Sequence, residues 1–353
     1  MQADMKRYLL CLLFFAALIT SVQATAQTSS TQKSHIPPES RRSVEQTLLT
    51  FPEWYLVHSP AEYARYVVGH PAHGFPFLGH IRQLWGGYAA VTKEQLHAGY
   101  STNAGYHVMI LVLATSTTLE YSLRWAYENI FGRISWAASS RSLTPEDHYG
   151  ATVAQDYVDF IRHEPWYLYD FKSKLQGLWT STPWTGRDML RKWERRYALT
   201  TEYGVKMVYA WLIEKATRAA YEEALMTTLV EADRPPTKMP AGLDIQLLRR
   251  FDDGHVLLSL PRYFGFKTAV LQLAQQGSSL TDIAGNRSVI FLTAWIPENR
   301  HIDPGMVRIL FEQPMLTMPG LKRVGLIIPV SRLSDFLLHA QEHGLTVEHV
   351  HDY

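Results

Sequence analysis

A proline-rich break divides this chain into two stretches of different residue period, and that switch limits the fold more than any other feature. The break is EADRPPTKMPAG, residues 231–242, with three prolines. Upstream, over 42–230, apolar residues recur at helical spacing; downstream, over 243–353, short apolar runs alternate with single helical stretches. A chain that changes period in this way reads as α+β, an all-helical domain followed by a strand-and-helix domain, with 231–242 as the linker. Nine of the ten tryptophans and sixteen of the nineteen tyrosines fall between Phe51 and Tyr221, so the helical part is also the aromatic one.

Helix starts are marked in the first part. Ser59-Pro60 with Glu62, and Thr144-Pro145 with Asp147, each join a capping side chain, a first-turn proline and an early acid, which predicts helices over 60–68 and 145–162. Residues 201–221 place Val205, Val208, Tyr209, Leu212, Ala216 and Ala219 on one stripe, expected to be buried. Residues 106–130 hold the apolar run Val108 to Ala114, then Glu120, Arg124 and Glu128 at four-residue spacing. A charge at a bilayer's centre costs roughly 2.5–3.5 kcal/mol on insertion scales, so this stretch reads as a central buried helix of a bundle.

In the second part His255–Leu260 reads as a strand, Tyr263–Gln276 as a helix and Ser279–Ile283 as a strand. The same order returns at Arg323–Val330, Arg332–His343 and Leu345–His351. This duplicated βαβ unit, with Ser288–Trp295 as an extra strand between the copies, predicts a ferredoxin-like sandwich: one antiparallel sheet with its helices on one face. Such folds host many activities, so function must come from side chains.

At the start, Lys6 and Arg7 precede the apolar run Tyr8–Val22, and Ala24-Thr25-Ala26 follows, the layout of a secretory signal peptide over 1–26. The mature chain is then expected in the periplasm or outside the cell, opening with a polar, flexible lead over 27–41. The alternative is an uncleaved anchor with the body outside the cytoplasm, but the apolar run falls short of the roughly twenty residues a spanning helix needs. Cys11, the only cysteine, lies within the leader, which leaves the body without disulfide, thiol nucleophile or thiolate metal site. A net charge of +1 gives no field for nucleic acid. No phosphate loop, dinucleotide glycine pattern or nucleophile elbow occurs, so no organic cofactor is implied.

Four sets of side chains carry candidate chemistry. His339-Ala-Gln-Glu342-His343 resembles the inverted zinc-protease motif over five residues only; with His349 and His351 it offers four imidazoles to a metal, or else merely caps and flanks a helix. Glu53 in FPEWYLVHS and Glu164 in HEPWYLYDF, with His58 and His163 beside them, suggest paired acids for a sugar hydrolase. Trp54, Tyr55, Trp166 and Tyr167 in the same segments suggest a stacking site, and their plain role is to anchor helix packing. Glu120 and Arg124, with Glu128, read as a surface ion-pair ladder or a polar seam lining a ligand cavity. The helix around 187–197, with Arg187, Arg191, Lys192, Arg195 and Arg196, reads as a solvated face or as peripheral contact with an anionic membrane. Asn286-Arg-Ser is a glycosylation sequon. The readings that follow are an exported ligand- or partner-binding or scaffold protein of the cell envelope, a hydrolase using the histidines or the paired acids, and an integral membrane component.

Overall fold

The computed structural model describes residues 34–220, 226–240, 242–302 and 307–352. The expected signal peptide and residues 27–33 of the lead lie outside the described residues. The protein is α+β: helices first, then two antiparallel four-stranded sheets.

The helices are α1 (Gln46–Val67), α2 (Phe77–His97), α3 (Ala104–Tyr127), α4 (Arg133–Ala137), α5 (Pro145–Ile161), α6 (Phe171–Ser181) and α7 (Met189–Ala220). A π-helical turn, Glu128–Gly132, joins α3 to α4. Helix α5 begins as expected, with Thr144 and Asp147 bonding reciprocally in a capping box. The expected start at Ser59 is corrected: α1 runs straight through both Pro52 and Pro60. Each proline lacks an N–H, so the carbonyls of Leu48 and Leu56 lose their helical donors. The helix is held by packing on α5, α2 and α3 as well as on a sheet, and Ser59 bonds to Tyr121 and His80 instead of capping.

Two further expectations fail in the same direction. Helix α3 is not central; it buries only Ile110, Ala114 and Tyr121, while Leu119 and Leu123 are 62% and 63% exposed. The described part of the stripe on 201–221 is likewise turned outward, with Val205 and Val208 at 64% and 62%, and the buried side of α7 carries Leu199, Tyr203 and Ala210.

The strand part is a tandem repeat. The first copy comprises β1 (Thr227–Ala232), β2 (Gln246–Arg250), β3 (Val256–Pro261), α8 (Phe264–Gln275) and β4 (Leu280–Ile283). The second comprises β5 (Val289–Pro297), β6 (Arg308–Pro314), β7 (Leu321–Pro329), α9 (Val330–His339) and β8 (Thr346–His351). The sheets have orders β2-β3-β1-β4 and β6-β7-β5-β8, the same order within each copy. Register shifts recur at matching places, in β1/β4 and β5/β8 and again in β2/β3 and β6/β7. The duplication is thus present, but each copy forms its own sheet, where a ferredoxin-like sandwich would merge them into one. The strand part also starts at Thr227, ahead of the prolines, so β1 overlaps the expected linker.

Helices α8 and α9 lie between the sheets and touch each other; α9 also packs on β4 and α8 on β8, each reaching the other copy's last strand. One apolar core therefore unites Val230, Leu258 and Ile283 of the first sheet with Leu292, Leu326 and Val350 of the second, around Phe266 and Leu333. Each sheet keeps a second, outer face. Residues 34–42 cover the first sheet's outer face, which corrects the expected flexibility of this part of the lead. Ile36 is fully buried, Arg41 Nε donates to Ile36 O at 2.8 Å and Arg42 N to Ala284 O at 2.6 Å. His35 stacks on Phe251 and its Nδ1 lies 3.0 Å from Glu231 Oε2. Helix α1 contacts β5 and β8 of the second sheet.

Candidate functional site

Where α1 lies on the second sheet, three- and four-residue spacing puts Thr47, Phe51, Tyr55, His58 and Glu62 on its buried side. Facing them are Phe291 and Thr293 on β5, Arg323, Gly325 and Ile327 on β7, and His349 and His351 on β8, as the register requires. One end is apolar: the Phe51 ring centroid lies 4.8 Å from Phe311 and 5.8 Å from Phe291. Glycine is needed at 325, since a Cβ there would stand 2.6 Å from Phe311 and 2.9 Å from Phe291.

The other end is charged. Arg323, 1% exposed, donates from Nε and Nη2 to the two Glu348 oxygens at 2.7 and 2.9 Å and from Nη2 to Glu62 Oε1 at 3.0 Å. Burial pushes the Glu348 carboxyl up, but Arg323 and His58 more than offset it and hold it at about 2. His58 Nδ1 lies 3.3 Å from Glu348 Oε1, yet burial still lowers its pKa to about 4; His80 is lowered by burial to about 3. Burial likewise drives His349 and His351 well below the ordinary value. Trp54 stacks on His349 with centroids 3.4 Å apart, and Tyr55 donates to Gln83 Oε1 at 3.0 Å. At the edge of the seam Glu53 is partly exposed; burial, opposed by a Tyr106 hydrogen bond and by Arg262, pushes its carboxyl up to about 7. Asp352, 2% exposed, is raised by burial to about 8, again opposed by Arg262. Between them Tyr263 adopts φ 59°, a conformation uncommon for an aromatic residue.

Glu53, Trp54, Tyr55, His58, His349 and His351 are thus gathered at one seam; of the other sequence candidates, Tyr167 comes close enough to Tyr263 to act on its hydroxyl. Glu164 is exposed beyond α5, so it lacks the apolar wall expected around the second acid, and it is not among the groups acting on Glu53. His163 reaches Phe264, and Trp166 packs on Tyr209 of α7 with Tyr167 beside it, whereas Trp54 stacks on His349. The four imidazoles do not converge either. His339 and His343 are exposed at the end of α9, on the inner side of the second sheet, whereas His349 and His351 flank the inward Val350 and face outward. Among the described residues no three His, Cys, Asp or Glu side chains are placed to hold a metal ion. Asn286 is fully buried, its Nδ2 donating to Val289 O, so the sequon is closed to glycosylation.

The basic helix is corrected as well. Arg191, Lys192, Arg195 and Arg196 are buried in ion pairs with Asp147, Glu146 and Glu128, at 2.7, 3.1 and 2.8 Å for the first three. Only Arg187 of the set is exposed. Glu120 and Arg124 keep two rungs of the expected ladder and also reach across to the next helix. They pair along α3 at 3.6 Å, and they cross to α7, where Arg124 meets Glu202 at 3.4 Å and Lys206 meets Glu120 at 3.5 Å. Glu128 departs to Arg195.

These pairs, together with Tyr127 stacked on Tyr197, show α3 and α7 running antiparallel side by side. Outside the pairs lie two apolar stripes. Leu111, Val112, Leu119 and Leu123 continue into Ile130, Phe131 and Ile134; Leu190, Tyr197, Val205, Val208, Trp211 and Leu212 run along α7. A shallow apolar depression on α7 is lined by Gly204, Val205, Val208, Tyr209 and Leu212. At 42–64% exposure these side chains together present on the order of 1,000 Å² of apolar surface, so each stripe, on its side of the ion pairs, is about as large as the roughly 300–600 Å² largest patch of an ordinary monomer.

Sequence reasoning missed Arg323, Glu62 and Glu348, which tie the seam together. A charge inside the apolar run RVGLII and an acid between histidines in VEHVH were the available signals. Comparison of the chain with protein-family profiles, with curated proteins and with solved structures finds no match in any of the three.

Proposed function

We propose that this chain is an exported partner-binding protein of the cell envelope, which docks through the paired α3–α7 face and uses the sheet body as a rigid mount. The observation that carries the reading is the exposed double stripe: two long helices turn their apolar sides outward together, where water penalises them unless something covers them. The charged leader with its small-residue site, and a body without cysteine, support the export half of the reading. The sealed seam between α1 and the second sheet acts as the joint holding the helices to the strands. Each strand copy is read as a split βαβ unit with an added edge strand, a rearranged half of the ferredoxin-like arrangement.

Photo-crosslinking in the native host tests this, with the probe residue at Leu123 or Val205 and a control probe at exposed Arg250, followed by osmotic-shock release. Adducts from the first two positions, in the released fraction, support it; no adducts from either position ends it. A second reading, hydrolysis at Glu53, rests on a partly exposed carboxyl near 7 beside Tyr106 and Arg262. Any hydrolytic activity that persists in Glu53→Gln removes that reading. Membrane integration draws no support from the helices, since among the described residues none is long and apolar enough to cross a bilayer.

A further inference from the structure

Building on the docking face just proposed, we infer that its occupant is a second copy of the same chain, the two α3–α7 pairs closing into a four-helix interface about a twofold axis. The area fits: on the order of 1,000 Å² of apolar surface compares with the roughly 800 Å² per partner of a stable interface. The shape fits as well. Two antiparallel helices present parallel stripes with a groove between them, and such a surface is complementary to itself under a twofold rotation, with the shallow crossing typical of four-helix bundles.

Charge weighs toward a second copy over an anionic bilayer. Within the groove Glu120 and Glu202 alternate with Arg124 and Lys206, two acids and two bases already paired, so the face does not repel its copy. An interfacial helix for anionic lipid instead sets free cations beside its apolar side. Here Arg191, Lys192, Arg195 and Arg196 of α7 are turned inward and consumed by ion pairs beneath the face, and of the exposed cations Arg133, Arg187 and Lys215 the last lies over the Trp211 ring at 4.4 Å. Tyr197 and Trp211, 63% and 52% exposed, are the large rings that anchor protein interfaces.

Sedimentation equilibrium of the mature chain, from residue 27, reads the association directly. The expected result is twice the monomer mass at micromolar concentration. Leu123→Glu and Val205→Glu should each weaken association about 100-fold or more, because each dimer would then bury two unpaired carboxylates, while leaving far-UV circular dichroism and the urea midpoint unchanged. Leu248→Glu, on the exposed β2, serves as the control that leaves the mass doubled. A monomer at 50 μM, or a dimer that both face variants leave intact, overturns the inference. So does a monomer that floats with phosphatidylglycerol vesicles in a manner abolished by Leu123→Glu, which gives the face to lipid. A monomer in vitro whose cellular crosslinks at Leu123 and Val205 persist would leave the docking reading standing with a different partner; loss of the crosslinks too removes both.

Discussion

Arg323→Met removes the cation that joins α1 to the second sheet while keeping an unbranched side chain of similar reach. Two carboxylates, Glu348 and Glu62, then lie buried without their guanidinium. Glu348 is held at about 2 against an ordinary 4.5. At about 1.4 kcal/mol per pH unit that corresponds to roughly 3 kcal/mol of stabilisation at neutral pH. Glu62 works the other way, since burial raises its carboxyl despite Arg323 and so returns part of that gain. Breaking a buried pair from one side costs about 3–5 kcal/mol, and the expected loss at pH 7 is therefore about 3 kcal/mol. A depressed acid gives its full stabilisation above about 4.5 and loses it as pH falls toward 2, while in the variant burial alone raises the same carboxyl, so the gap between wild type and variant should narrow steadily as pH falls from 7 toward 2. Urea unfolding at pH 7, 5 and 3.5 measures it. A variant within 0.5 kcal/mol of wild type at pH 7, or a gap that stays constant with pH, refutes the assignment. Adding Glu348→Gln and Glu62→Gln to the variant should restore much of the loss, because no buried charge is then left uncompensated.

Three further outcomes are expected. His58 and His80 are lowered to about 4 and 3 from an ordinary 6.5, so each contributes stability fully present above 6.5 and lost on acidification, at about 1.4 kcal/mol per pH unit; an NMR titration in which either ring protonates near 6.5 contradicts this. Glu53 is raised to about 7, which penalises its charged form above that pH. Glu53→Gln should therefore stabilise the protein at pH 8 by about 2 kcal/mol and do nothing at pH 4, and equal effects at the two pH values would exclude the burial argument. Gly325→Ala forces a methyl into the Phe311 and Phe291 rings and should cost about 1–3 kcal/mol, read as a lower thermal midpoint.

The α+β division, the capped start of α5 and the duplication were legible because each is written in local period or capping chemistry. The two-sheet arrangement was not. Strand β1 precedes the prolines, and β2, QLLRR, is short, mostly exposed and without a clean apolar alternation, so the first two strands of the first copy left little trace. Ser59-Pro60 imitated a helix start, and the packing of α1 on α5, α2, α3, β5 and β8, distant in sequence, is what carries the helix through it. The stripes on α3 and α7 show how far periodicity reaches. A period of 3.6 establishes that a helix has an apolar side, but which side meets the core depends on residues distant in sequence. The site was half legible: Trp54, Tyr55 and His58 were picked out in one set and His349 and His351 in another, and nothing local showed that α1 would lie across β8.

The two copies explain why the N-terminal stretch cannot be spared. Matching VLLSLP of β3 to VGLIIP of β7 pairs Val256 with Val324, and the strand registers then make Glu231 and Asp282 the counterparts of Thr293 and His349. All four are buried polar residues on outer faces, and each face is closed by consecutive chain. Arg42 N bonds Ala284 O on the first sheet, and five residues later Thr47 Oγ1 bonds His351 O at the equivalent place on the second. Residues 34–67 therefore roof both copies. A chain cut to begin at Thr227 would expose Phe291, Ile327 and His351 on one sheet and Glu231 and Asp282 on the other, trading buried surface for open apolar and unpaired polar groups. That fragment should be insoluble or bind a hydrophobic dye strongly, and adding residues 34–67 in trans should reduce the dye signal. A soluble, cooperatively unfolding fragment would show that the strand repeats stand without their roof.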